Sequence, residues 1–381
     1  MSFKRKIWSV LSILLVSILS IIFVFTNREE KLYKNIDVGV SSNNILTVVK
    51  ELSSEKYDGR LIGTKGNELA TDYIEKHFRK IGLKKPEKLN SYRQNYKQNV
   101  RMTNQAPILG TLDKNGKLEN EITYIKDFSV VTYNSLLRIS GKAKGNGVIL
   151  RDSRDLTKNP ERYEGNILLV PEKMTKGAGV SSIILQIIEN NIKVDGIVVE
   201  IKAKEGESSA FPVAPNAPKI DTFSKNGPMM FVVRSEKFDK LCDLSKEGKK
   251  IYMTADYSIE NVEGANLVGI VEGQDEKLKN EFIIIGAHFD HAGSNKNGTY
   301  NPGALDNASG TATMMEIARV IAQNDIKPKK SILFIGFNGE EEGLYGSYHY
   351  VDNPLYPLDD KTMMINLDMV GSKRVVPLES I

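Results

Sequence analysis

Cysteine is almost missing from this chain: 381 residues contain one, Cys242, so no intramolecular disulfide can form and each folded part must be held by core packing alone. Histidine is nearly as scarce, with four residues: His77, His288, His291 and His349. Charge imbalance is also small. The formal net charge of +4 is spread along the chain, and no basic stripe with interleaved aromatics occurs, so a nucleic-acid partner is not expected. The apolar run of membrane-spanning length is 7–25, which has no charged residue and follows Lys4, Arg5 and Lys6. At about 1.5 Å per residue it can cross about 30 Å of hydrocarbon. This predicts a cytoplasmic tail at 1–6, a transmembrane signal-anchor at 7–25, a polar stalk at 26–42 and everything beyond it outside the cytoplasm. A cleaved signal peptide is the alternative, although its apolar region is normally shorter and ends in small residues. Either way the protein is exported, to the cell membrane or beyond it. What remains is ordinary for globular domains, 40% hydrophobic and 26% charged, and the length predicts two or three domains.

The chemistry is concentrated between 281 and 346. Two apolar runs, 282–287 and 332–337, are apolar on both faces and end abruptly in acidic and imidazole side chains, as buried parallel strands do. Between them Met314, Met315, Ala318, Ile321 and Ala322 recur with a helical period, with Asn307 or Ser309 available as N-cap. This is a βαβ unit. A third run, 363–367, ends in Asp368. In open α/β sheets functional groups gather beyond the carboxyl ends of the strands, where His288, Asp290, Asp306, Glu340, Glu341 and Asp368 fall. So many carboxylates cannot all stay ionised side by side without a cation. Imidazole with carboxylates suits zinc, ahead of manganese or cobalt, and a carboxylate free to bridge suits two ions about 3.5–4 Å apart.

Four motifs carry a resemblance: His288-Phe289-Asp290, then Gly303-Ala304-Leu305-Asp306-Asn307-Ala308-Ser309-Gly310, then Glu340-Glu341-Glu342-Gly343-Leu344-Tyr345-Gly346-Ser347, then Asn366-Leu367-Asp368-Met369. In order and spacing they resemble the M28 family of cocatalytic zinc aminopeptidases. The resemblance implies an α/β, three-layer αβα zinc-peptidase fold. It makes His288 and Asp368 ligands of one zinc, Asp306 the bridging carboxylate and Glu341 a ligand of the second zinc. Asp290 becomes the acid that orients the His288 ring, Glu340 the general base, and Glu342 the variable residue of the motif. The expected activity is hydrolysis of N-terminal peptide bonds in peptides with a free α-amine, by a zinc-activated water.

The family's second zinc also needs a histidine well downstream of the Asp368 position, and none of the four histidines stands there. The expectation is therefore an incomplete copy whose last strand lacks cover. His291 is expected as a loop residue beside the site and His349 on a helix surface, with replacement of the lost ligand as the alternative for each. A catalytically inactive binding or structural module, or an M28-like carboxypeptidase or glutaminyl cyclase, are the alternative functions.

The rest of the chain frames this region. A short helix is expected at 45–52, and a longer one whose apolar face is Ala70, Tyr73, Ile74, Phe78 and Ile81, closed by Gly82. Gly59-Arg60 and Gly63-Thr64 also resemble the start of M28 peptidase domains, with Arg60 either bracing a loop or touching substrate. Short β-rich runs at 148–151, 167–170, 197–201, 229–233 and 251–254, with one helix near 180–191, resemble an inserted protease-associated (PA) domain at 100–256. Such a domain lids the cleft, guides substrate or acts as a spacer. The peptidase domain is expected in two parts, 43–99 and 257–381, re-entered through an edge strand at 265–273.

Overall fold

The computed structural model describes residues 39–132, 134–175, 179–202, 223–324 and 326–371. The expected tail 1–6, the anchor 7–25 and nearly all of the stalk lie outside the described residues. Among the described residues no helix is long and apolar enough to cross a membrane.

The chain opens with α1 (Ser42–Leu52), capped by the Ser41 side chain, and α2 (Lys65–Ile81), which begins at Thr64 and ends at Gly82 with φ 84°. That positive φ is the conformation a C-terminal glycine accepts without cost. There follow β1 (Arg93–Leu112), β2 (Leu118–Ile122), β3 (Phe128–Val130), β4 (Gly141–Ile149), the short α3 (Arg154–Lys158), β5 (Ile167–Val170), α4 (Gly179–Glu189), β6 (Gly196–Ile201), β7 (Met229–Arg234) and α5 (Ser235–Lys246). Then come β8 (Lys250–Val271), β9 (Phe282–His288), α6 (Gly310–Gln323), β10 (Ser331–Phe337), α7 (Tyr345–Asp352) and β11 (Met363–Asn366). The strands form one sheet in the order β11-β9-β10-β8-β4-β5-β6-β7-β3, with β1 paired along β8 and β2 along β1.

The stretch 265–273 was expected at an edge, and its strand portion is interior. β8 is one long strand that pairs antiparallel with β1 along one side, and on the other with β4 near its start and β10 near its end. Its apolar end is buried, and such a strand needs partners on both sides to satisfy its backbone. β1 and β8 continue through positions 99–100 and 256–257, so one pair of strands links the part of the sheet that carries the motifs to β4 and the strands beyond it.

Around the motifs the sheet is covered on both faces, as the expected three-layer arrangement requires. Ile285, Ala287, Ile332 and Phe334 meet α1, α2 and α6 through Val48, Ile74, Phe78, Met314 and Met315. The alternate residues Ile284, Leu333, Ile335 and Phe337 meet Tyr350 of α7 and Leu355. The end of the sheet beyond β4 repeats this on a smaller scale, with Phe231 and Val233 facing α5 and Met230 and Val232 facing α4. β11 is the exception. Among the described residues it pairs with β9 alone, and all four of its residues are exposed.

Candidate metal centre

Parallel pairing assembles the site. His288 ends β9 directly opposite Phe337 of β10, and Asn366 of β11 lies opposite Gly286, so Asp368 two residues on stands level with His288. The first turns after three adjacent strands thus open on one sheet edge. Asp306 comes from the tight turn between β9 and α6, in an extended conformation (φ −104°, ψ 101°) ahead of a cis peptide to Asn307. The Asn307 side chain, rather than Ser309, caps α6: its Oδ1 accepts from Gly310 N at 2.9 Å, while its Nδ2 donates to Leu367 O at 2.9 Å. That bond ties the Asp306 turn to the strand end that leads into Asp368. The approach is close enough that a Cβ on Gly310 would lie 2.1 Å from Leu367 O.

His288 Nε2 stands 3.2 Å from Asp306 Oδ1 and 3.7 Å from Asp368 Oδ1. His288, Asp306 and Glu341 each offer a ligand atom, all within 4.8 Å of one another. Two ligands of a tetrahedral zinc with bonds of about 2.0–2.1 Å stand about 3.3 Å apart, so these separations match the edge of such a polyhedron. Electrostatics agree with the geometry. Burial works against a charged His288, yet Asp290, Asp306 and Asp368 outweigh it and hold the imidazole pKa well above its ordinary value. Burial also opposes ionised Asp306, and His288, His291 and Arg60 overcome it, lowering that pKa. The carboxylates thus favour positive charge at this place. Glu340 is different: burial first, and then the neighbouring Glu341, Asp290 and Asp306, push its carboxyl up to about 7 despite His288.

Asp290 does not hold the ring in the way expected for a metal-bound histidine. Its Oδ1 lies 3.7 Å from His288 Nδ1, beyond hydrogen-bond range, and that buried nitrogen has no hydrogen-bond partner. Instead the wholly buried Asp290 carboxylate accepts from Glu340 N at 3.1 Å and Glu341 N at 3.2 Å. Its visible work is to shape the acidic turn. His291 lies beside the site, with Nδ1 2.5 Å from Glu341 Oε1. His349 stacks on Tyr96 at 4.9 Å, and the half-buried His77 contacts Met315 O, so neither meets the carboxylates.

Two residues contribute more than their sequence neighbourhood suggested. Arg60 is completely buried and donates to four carbonyls, those of Leu52, Phe289, Pro302 and Gly303, clasping both ends of the loop between His288 and Asp306. This is the bracing role. Gly59 beside it (φ 74°) tolerates no side chain, because a Cβ would lie 2.6 Å from Gly293 O. Glu342, the variable residue of its motif, is buried and paired with Arg101. A third acidic residue in a row gives no hint of burial, and its partner lies 241 positions away. Tyr300 donates to Ser53 O at 3.1 Å.

With the geometry in place, likeness to known proteins becomes informative. Residues 266–379 match the model of peptidase family M28. An aminopeptidase of Bacillus subtilis, YwaD, is 38% identical over 117 residues, which are 29% of this chain and 23% of that protein. A protein described as a probable zinc metalloprotease of Pyrenophora tritici-repentis is 34% identical over 152 residues, 36% of this chain and 33% of that protein. The matched stretch thus spans a third or less of these curated relatives. Among solved structures, an aminopeptidase from Aneurinibacillus sp. strain AM-1 superposes with a TM-score of 0.57 at 21% identity, covering 89% of this chain and 73% of that one. That likeness is one of fold.

Proposed function

We propose that this chain, whose residues 266–379 match peptidase family M28, is a zinc-dependent aminopeptidase. The observation that carries the reading is the placing of His288 Nε2 at 3.2 Å from Asp306 and 3.7 Å from Asp368, with the Glu340 carboxyl alongside. His288 and Asp368 would hold one zinc, Asp306 would lie between two, and Glu341 would hold the second. Bound zinc supplies Lewis acidity at the scissile carbonyl and lowers the pKa of water. Glu340, its carboxyl pushed to about 7 and so poised to take a proton and give it back near neutral pH, accepts the proton of the attacking water and returns it to the leaving amine. Asp290 keeps Glu340 and Glu341 in place by accepting both backbone N–H groups. The substrate is a peptide with a free α-amine, which the acidic groups recognise. The inserted unit acts as a PA-like lid or guide. Residues 7–25 tether the enzyme to the membrane, with its catalytic part outside the cell.

A second reading, a non-catalytic binding module, draws on one observation: among the described residues His288 is the histidine that meets Asp306 and Asp368, while His291 is engaged with Glu341. Hydrolysis of a leucine anilide by the purified full chain with added zinc separates the two, run beside Glu340→Gln. Loss of a general base costs about 10²–10⁴-fold in rate. Activity that falls by that factor while zinc binding persists supports the peptidase. Folded, zinc-loaded chain no faster than its variant supports the module.

A further inference from the structure

The turn that carries Glu340 and Glu341 is gripped from two sides. On one, Asp290 accepts their N–H groups; within the turn, Gly343 N and Leu344 N donate back to Glu340 O at 2.8 and 2.9 Å. On the other side Glu342 turns away from the metal centre into the protein, where its side chain is 7% exposed. There Arg101 meets it in a forked arrangement: Nε and the backbone N reach Oε2 at 3.1 and 3.2 Å, and Nη2 reaches Oε1 at 3.2 Å. The remaining arm of the same guanidinium, Nη1, donates to both the carbonyl and the hydroxyl of Thr132, each at 2.9 Å. Thr132 follows β3 in the inserted unit, and Arg101 stands on β1, one of the two strands that link that unit to the metal-bearing sheet.

We propose that Arg101 is a positioning residue that holds the Glu340–Glu341 turn by way of Glu342 and anchors it to the inserted unit by way of Thr132, so that the zinc affinity of the site depends on this clasp. The proposal rests on the zinc reading above. Its physical basis is geometric. Metal ligands tolerate only about ±0.2 Å in bond length. Glu341 is a neighbour of Glu342 in the chain, and a shift of one backbone unit moves the other. A planar guanidinium fixes the orientation of its carboxylate as well as its distance, which a lysine ammonium cannot do. Thr132 in turn fixes the guanidinium, so displacement of the inserted unit relative to β1 is transmitted to the acidic turn through two side chains.

The test is zinc affinity, measured by competition with a chromophoric chelator on the full chain, with urea stability recorded beside it. Arg101→Met is expected to weaken zinc binding about 10–100-fold, the usual loss when a residue that supports a ligand is removed. Arg101→Lys should recover part of this, and Thr132→Val, which keeps the carbonyl contact, should lose less in the same direction. Arg93→Met is the control: Arg93 lies on the same strand and pairs with Glu75 and Asp72, away from the acidic turn, so its loss lowers stability and leaves zinc affinity within about 2-fold. Should Arg101→Met not fold, the double replacement Arg101→Met with Glu342→Met leaves no uncompensated buried charge. It is expected to fold and still bind zinc weakly. Zinc affinity equal to wild type in whichever of these folds overturns the positioning role alone. A wild-type chain that binds no zinc overturns the zinc reading and this proposal with it.

Discussion

Replacing Arg60 by methionine tests whether one buried guanidinium organises the rim of the site. In the structure its side chain is wholly buried and donates at 2.8 Å to Phe289 O, 2.6 Å to Leu52 O, 2.8 Å to Pro302 O and 2.8 Å to Gly303 O. Hydrogen bonds to a charged group contribute about 1.5–3 kcal/mol each, so the four together come to about 6–12 kcal/mol before the cost of burying the charge. That cost is several kcal/mol, and breaking such a buried charged network has a net effect of about 3–5 kcal/mol. Burial lowers the Arg60 pKa to about 10, with Asp290, Glu341 and Asp306 working in the opposite direction, so it remains charged at neutral pH. Methionine matches much of the volume and leaves four carbonyls without a donor. The loss of about 3–5 kcal/mol is a large share of the about 5–15 kcal/mol that typically separates folded from unfolded protein. Urea unfolding of metal-free chain followed by far-UV circular dichroism is the assay. With a slope of about 1–3 kcal/mol per molar urea, the midpoint should fall by at least about 1 M. Arg60→Lys, limited to three donors on one nitrogen, should fall between the two. A methionine variant whose midpoint lies within about 0.3 M of wild type would refute the bracing role.

Asp290→Asn keeps one acceptor for two N–H groups and turns an amide donor toward the other, so a loss of about 1–3 kcal/mol is expected, read as a lower urea midpoint; an unchanged midpoint would mean that the turn holds itself. Zinc at about 100 times its dissociation constant should add about 2.7 kcal/mol to stability, and EDTA should remove it, with Asp368→Ala gaining less at the same zinc concentration. Equal melting temperatures with and without zinc in wild type would contradict the metal centre. Burial first of all pushes the Cys242 thiol up to about 11. At pH 8 its thiolate fraction is then about 0.1%, against about a quarter for a free thiol of pKa about 8.5. Iodoacetamide should therefore label folded protein at least about 100-fold more slowly than urea-unfolded protein, with a rate rising about tenfold per pH unit up to pH 10; fast labelling at pH 8 would contradict the burial.

The residues of the candidate site could be singled out because their signals are local. His288, Asp306, Glu341 and Asp368 each follow an apolar run or precede a helix, and apolar runs with abrupt polar ends mark such places without reference to the rest of the chain. The parallel pairing of β9, β10 and β11 then brings their ends together by register alone. The helices 42–52 and 65–81 were readable for the same reason, an apolar face at helical spacing with side-chain caps or a closing glycine. The interior position of 265–271 was not legible, since an apolar strand reads the same at an edge as between neighbours; only β1 and β10, from opposite ends of the chain, decide it.

Hydrophobic period, caps and turn chemistry act over a few residues, so the mixed α/β class, the element boundaries near the motifs and the residues that meet at one sheet edge are readable from the amino-acid order. Tertiary structure decided what those residues do for one another. It placed Asp290 on the N–H groups of Glu340 and Glu341 rather than on the His288 ring, buried Arg60 against four carbonyls, and paired Glu342 with Arg101 across the sheet. These contacts join positions tens to hundreds of residues apart. Whether a carboxylate or guanidinium is solvated or enclosed depends on packing around it, which no local pattern records.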